Sequence, residues 1–334
     1  MKIDNPLAGH TKRRRLLAAT ALMLVSSALP ALADTYPSKP IRMIVPYLAG
    51  GVTDVMARQF ATVMSDKLGQ QIVVDNKPGA NTLIATQAAA TAPPDGYTIF
   101  FMDLSLLSYN AYLYKQQPYE LTRDFVPVTS VAEIPLGLAV NNFVPANNVK
   151  EFIAYAKANP GKMNYSSTAS GGLPHLAMEN LKSVAGIEMT HVPYKGAAAA
   201  ITDMIGGQID MFFATASPLV PQVQQGQLRV LALTGSQRSP ILPDVPTFKE
   251  LGIDMTMTQW YGLAAPAGTP PEVVKALSDS LSRALKDPSV QNAIRKDAAM
   301  ERDLPMDQFK QYIIQDIANY RKAATPDLLK QIGQ

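Results

Sequence analysis

Two hydrophobic rhythms alternate along the chain. Short apolar, β-branched runs have the character of buried strands, and stretches with apolar residues every three to four positions have that of amphipathic helices. Lys39–Pro46 reads as a strand, and Thr53–Leu68 as a helix carrying Val55, Phe60, Val63 and Met64. Gln71–Val74 is the next strand, followed by the turn "DNKPGAN" and a helix through Thr91. "PPDGY" punctuates before the strand Thr98–Met102. Such alternation predicts parallel, right-handed βαβ units.

A second block repeats the habit. A strand at Phe125–Val131 leads through "EIPLG" into another at Leu136–Val140, and further strands fall near Met163–Ser166, Met189–Val192, Met211–Phe213 and Arg229–Leu233. "LPDVPTFKELG" reads as loop and short helix, and "MTMTQ" is strand-like before Trp260 and Tyr261, an aromatic pair expected to pack between lobes. Two long helices close the chain, Pro271–Leu285 and Met306–Ala324, the first opened by prolines where a missing N–H costs little. The pattern fits an α/β fold of two lobes, with the chain crossing between them more than once.

Composition supports a packed core: 47% of the 334 residues are hydrophobic and 17% charged. The N-terminus reads as an export signal, with basic Lys12–Arg15, apolar Leu16–Leu29 and the cleavage signal Ala31-Leu32-Ala33. The apolar run is shorter than the roughly 20 residues needed to span a bilayer. The arginines permit either general secretory or twin-arginine export. Removing residues 1–33 takes away five basic residues and one acid, so 25 basic and 26 acidic residues remain, a net of −1. The basic character therefore belongs to the leader and does not point to nucleic acid. Cysteine is absent, which excludes disulfides, thiol catalysis and lipid attachment through cysteine.

Four polar or glycine-rich turns join strands to helices: "YLAGGVTD" (Tyr47–Asp54), "NKPGANT" (Asn76–Thr82), "SSTASGGLPHLA" (Ser166–Ala177) and "PYKGAAAA" (Pro193–Ala200). Glycine lets backbone N–H groups turn inward there, Thr53 can cap its helix, and each helix start carries partial positive charge. Together they predict helix N-termini gathered round a cleft that receives an anion. Signatures of catalysis are sparse. G-x-S-x-G, H-E-x-x-H, G-x-G-x-x-G and the P-loop pattern are missing after the leader, and acids such as Asp103, Asp203 and Asp210 are scattered without metal-ligand spacing. A Ser170–His175 nucleophile–base pair lacks an evident orienting acid. His175 is expected to cap, pack or line the cleft, and His191 to sit in the core. No enzyme, metal or cofactor is expected.

"IRMIVPYLAGGVTDVMAR", "VVDNKPGAN", "APPDGYTI", "HVPYKGAAAAITDMIGGQIDMFF" and "WYGLAAPAGTP", in this order over the whole exported chain, resemble the Bug family of substrate-binding proteins of tripartite tricarboxylate transporters. That resemblance implies a type II, two-lobed periplasmic solute-binding fold, each lobe a sheet flanked by helices, closing on a small ligand. It places lobe 1 at 34–133 plus 258–334 and lobe 2 at 134–257. It implies ligand contacts from Tyr47, Gly50, Gly51, Thr53 and Asp54 on the first turn, and from Ala80, Asn81 and Thr82 on the second. Ser105 follows the third strand. The other lobe would contribute Thr168, Ser170, Gly171 and His175, then Tyr194 and Lys195, then Thr215 and Ser217. Ala49 stands where the family usually has proline, and Asn81-Thr82 where glycines are usual, so these side chains are expected to replace bridging water. Leu104 and Leu106 suggest a more apolar wall. The implied partners are a small carboxylate and the membrane permease subunits of such a transporter, for a monomer in the periplasm. A sensing subunit for a membrane receptor is the alternative. Asp54 is expected to hold the first turn rather than touch a carboxylate, which it would repel.

Overall fold

A strand covered on both faces must be apolar along its length. Ile41–Val45 meets that demand, with only Arg42 exposed, and forms β1 at the middle of a parallel trio with β2 (Ile72–Asn76) and β3 (Thr98–Asp103). The computed structural model describes residues 36–103, 119–296, 299–323 and 329, so the expected leader and Ser105, Leu104 and Leu106 lie outside the described residues. The described residues from Lys39 onward belong to one compact unit. Helix α1 (Val52–Leu68) links β1 to β2, stopping at Gly69 in the left-handed conformation, and α2 (Leu83–Ala90) leads from β2 toward β3.

After the short helix α3 (Leu121–Asp124) comes β4, a single strand from Phe125 to Asn141. The break expected at "EIPLG" does not occur. Up to Pro135 the strand pairs with β9 (Thr258–Pro266), and from Leu136 onward it lies between β7 (Met211–Thr215) and β8 (Leu228–Leu233). Pro135 falls where the ladder changes partners, a place where its missing donor costs little. The next amide, Leu136 N–H, is taken by the Thr234 hydroxyl at 2.9 Å.

The sheet runs β2-β1-β3-β9-β4-β7-β5-β6, with β8 and the short β10 (Met300–Glu301) also on β4. Here β5 is Asn164–Ser167 and β6 is Thr190–Pro193. The expected parallel units are present on both sides, as β2-β1-β3 and as β7-β5-β6. Between them β9 and β4 run antiparallel to their neighbours, which periodicity did not foretell. Each half of the sheet with its helices is a lobe, and β4 belongs to both.

The remaining helices are α4 (Val149–Ala158), α5 (Leu173–Ala185), α6 (Ala197–Ile205), α7 (Ala216–Gln224), α8 (Pro271–Leu285), α9 (Pro288–Lys296) and α10 (Met306–Ala323). Helix α9 was not expected, although Asp287 announces it by accepting the Ser289 N–H at 2.9 Å. "LPDVPTFKELG" makes turns and one isolated parallel bridge, Thr247 to Leu233, but no helix. Thr247 and Glu250 cap one another in a reciprocal box, and Gly252, at φ 74°, ends the turn before a helix can propagate. Trp260 lies inside β9, fully buried edge-on against Phe309 of α10, with its indole N–H donating to Asp316 at 2.8 Å.

Candidate functional site

The first-lobe turns are held by a small polar network. Asp54, only 2% exposed, takes the Gly50 N–H at 2.8 Å on one carboxylate oxygen and the Asn76 amide at 2.8 Å on the other. Arg58 reaches both oxygens at 3.0 Å and also donates to Asn76 at 2.9 Å. Asn76 in turn donates to the Tyr47 carbonyl at 3.0 Å, so one cluster fixes the turns after both β1 and β2. Burial alone would raise the Asp54 pKa. The bonds from Arg58, Gly50 and Asn76 outweigh it and hold the carboxyl below its usual range.

The turn after β2 is strained. Gly79 has φ 123°, and two residues with side chains, Ala80 and Thr82, also sit at positive φ, 46° and 72°. Each such non-glycine position costs on the order of 1 kcal/mol or more, a cost that persists where surrounding contacts over-determine the conformation.

In the other lobe, Gly171 donates to His175 Nδ1 at 3.0 Å and Gly172 to the Ala169 carbonyl at 3.1 Å. Ser167 Oγ donates to the same carbonyl at 3.1 Å and lies 2.7 Å from His191 Nε2. The two imidazoles stack 3.8 Å apart behind the turn, and burial lowers the His191 pKa. Tyr194 donates to Asp203 at 2.6 Å, a bond that, with burial, raises its hydroxyl to about 12.

Ladder register sets the two groups of strand ends facing each other along β4. Asp103, the last residue of β3, sits opposite Tyr261, which sits opposite Ala132 of β4. Thr215, the last residue of β7, sits opposite Leu136 of the same strand. Four residue steps along β4, from Ala132 to Leu136, separate the two levels, about 13 Å of extended chain. Because β7 runs against β4 while β3 runs with it, the C-terminal ends of β1–β3 point at those of β5–β7 across that interval. This is the crevice position where open α/β sheets take ligands.

The helices starting there have no side-chain cap: Gly51 precedes α1, Gly172 precedes α5, Gly196 precedes α6 and Thr215 precedes α7. Of the helices that start elsewhere, α4 is capped by the Asn148 side chain accepting from Glu151 N–H, whereas α3 and α8 also have no side-chain cap. No N-cap side chain takes up the first-turn N–H groups of these helices, although Pro174 in α5 and Pro218 in α7 supply none.

The family model described as the tripartite tricarboxylate transporter family receptor, TctC, matches residues 56–330. The chain belongs to the TctC family. A curated relative, BugT of Bordetella pertussis, is 35% identical over 310 residues, covering 92% of this chain and 95% of BugT. The structure of a TctC solute-binding protein from Polaromonas superposes with a TM-score of 0.80 at 32% identity, covering 86% of this chain and 99% of the other. A protein of R. palustris solved with adipate superposes at 0.69, with 30% identity over 88% of this chain and 98% of that one. The two-lobed α/β solute-binding fold is therefore that of the family.

Within this TctC-family fold the anticipated residues divide into two groups. Gly50, Gly51, Ala80, Ser170, Lys195 and Ser217 are exposed on the turns, with Tyr47, Thr168, Tyr194 and Thr215 half-buried beside them. Thr53, Asp54, Thr82, Gly171 and His175 are buried. Thr53 does not cap α1: the helix starts one residue earlier than expected, at Val52, so its hydroxyl lies inside the first turn. Thr82, 6% exposed, has almost no surface to offer in place of water. His175 is fully enclosed and holds Gly171, which leaves the Ser170–His175 nucleophile–base pairing unformed. Asn81 lies in the 3-10 turn Ala80–Thr82.

Residue-type reasoning missed Arg58, Asn76, Ser167 and His191. The Asp54–Arg58 spacing of four on one helix was the readable signal. The contact of Ser167 with His191 joins neighbouring parallel strands, for which sequence carries no mark.

Proposed function

We propose that this TctC-family chain is a periplasmic receptor that captures a small carboxylate in the crevice at the β4 junction and delivers it to the permease of a tripartite tricarboxylate-type transporter. The observation that carries the reading is the set of helix starts without side-chain caps, offered from both lobes to one interval of β4. Oriented amides can hold an anion without the desolvation cost of a buried lysine. Adipate in the R. palustris relative supports the same ligand class. Leu48 stands exposed at the tip of the first turn, and Ile84, also exposed, lies against Gly79 on the second. Apolar surface beside the donor-rich turns favours a carboxylate with an apolar body.

In this reading Gly50, Gly51, Ala80, Thr168, Ser170 and Thr215 face the ligand, while Asp54, Thr82, Gly171 and His175 hold the turns that do. The lobes are 34–133 with 258–334, and 134–257. They close by rotation about β4 and β9, a shift between open and closed populations. The receptor is exported by its leader, works as a monomer and catalyses no reaction. Among the described residues, no helix is long and apolar enough to cross a membrane.

Thermal unfolding of purified, ligand-stripped protein against a panel of aliphatic and aromatic mono- and dicarboxylates tests the proposal. A true ligand at about 100 times its Kd raises stability by about 2.7 kcal/mol. Failure of every acid to shift the transition sinks the ligand class. Appearance of a product from a bound acid, lost in Ser170→Ala, sinks the non-catalytic role.

A further inference from the structure

A second pocket shares no residue with the crevice turns. It has a volume of about 530 Å³ and lies between α5, the approach to β9 and α10. Its polar side chains are the amides of Asn180, Gln315 and Asn319, the hydroxyls of Ser183, Thr256 and Tyr312, and the carboxylates of Asp254 and Asp316, with no lysine or arginine.

The hydrogen bonds of these groups leave acceptors toward the pocket. Asp316 is only 4% exposed; one of its oxygens takes the Trp260 N–H, and the other has no hydrogen-bond partner among the described residues. The Gln315 amide donates to Asn319 at 3.0 Å, and that of Asn180 to the Met257 sulfur at 3.6 Å, so both spend a donor and keep their oxygens. In its ionised form a carboxylate this nearly buried, with one protein donor, carries a desolvation cost that a donor-bearing occupant of the pocket would offset.

We propose that this pocket binds a small organic ammonium ion, with Asp316 as its anchor. Two carboxylates and several free acceptors exclude an anion and ask for a donor-rich cation. The volume is far larger than a bare metal ion needs, and no group of three or more metal-ligating side chains occurs among the described residues. Burial pushes Asp316 up to about 7, so a positive occupant would displace its proton and draw it to the ionised form. The groups that face it are Trp260, Tyr312, Arg302 and Glu133. Arg302 is already paired with Glu133 and stacked 4.4 Å from the Tyr312 ring centre. The pocket's occupant would bridge α5 and α10.

Calorimetric titration of the full exported chain with putrescine and with ethylammonium, against neutral butanediol as control, is the test. Saturable binding of the amines, absent with butanediol, is expected. Asp316→Asn, which keeps the shape and can still accept from Trp260, should weaken it by about 10-fold or more. Trp260 is the only tryptophan, so its fluorescence reports whether that variant is folded. Should it not fold, Asp254→Asn at an exposed position should weaken putrescine binding several-fold. Absence of amine binding, or amine affinity unchanged in the folded Asp316→Asn variant and in Asp254→Asn, overturns the assignment. Carboxylate binding at the crevice is read separately and does not bear on this result.

Discussion

Asp54→Ala removes the acceptor that joins the two first-lobe turns. Three donors lose it at once: Gly50 N–H, the Asn76 amide and the Arg58 guanidinium. The first two bonds are part-buried and contribute about 1 kcal/mol each net. The Arg58 pair is half exposed and so contributes only about 0.5 kcal/mol. The expected loss is therefore about 2.5 kcal/mol. It should fall on the geometry of Tyr47–Gly51 as well as on global stability, because Asn76 also holds the Tyr47 carbonyl. Urea unfolding measures the first effect, and calorimetric affinity for whichever carboxylate the panel identifies measures the second, expected to fall about 10-fold. Since Asp54 and Asn76 act in one network, Asp54→Ala and Asn76→Ala should be non-additive by about 1 kcal/mol. Strict additivity with stability unchanged would refute the clamp. A crystal structure with Asp54 bonded directly to a cationic ligand in the crevice would refute it by another route.

Further outcomes follow from the same contacts. Asp54 has a folded pKa below its ordinary value, so its contribution is present above about pH 4 and is lost as pH falls through the folded pKa. Wild type should lose stability more steeply than Asp54→Asn in acid titrations below that point. Asp316 has the opposite sign: its raised pKa means the folded state binds the extra proton, so stability falls as pH rises from about 4 to about 7. Asp316→Asn should remove that slope, and an unchanged pH profile by thermal unfolding would contradict the burial. Gly262→Ala would drive a methyl into the ring of Phe309, costing about 2–3 kcal/mol by urea unfolding; a neutral result would mean that α10 does not pack on β9 as described. Ala80→Gly should relieve positive φ, offset by the greater freedom of glycine when unfolded, for a net gain of about 0.5 kcal/mol. A loss above about 1 kcal/mol would show the turn to be unstrained.

Much of this protein is local. β1 and β3 are recognisable because both faces are covered, and α8 begins at Pro271 and ends at Leu285 as its pattern and prolines indicate. Glycine-bearing turns after strands are legible too, since backbone that must enter conformations at positive φ leaves that trace: Gly50, Gly79, Gly171 and Gly196 all have positive φ. What stayed hidden was set by partners far away in sequence. The continuity of β4 through Pro135 depends on Thr258 and Thr234, each about a hundred residues on or more. The burial of Thr82 and His175 behind the turns they were expected to present was equally invisible. Periodicity records whether a position is covered, not what covers it. Pairing partners and register are chosen by the sum of long-range contacts, so only the assembled sheet could point the two sets of strand ends at each other.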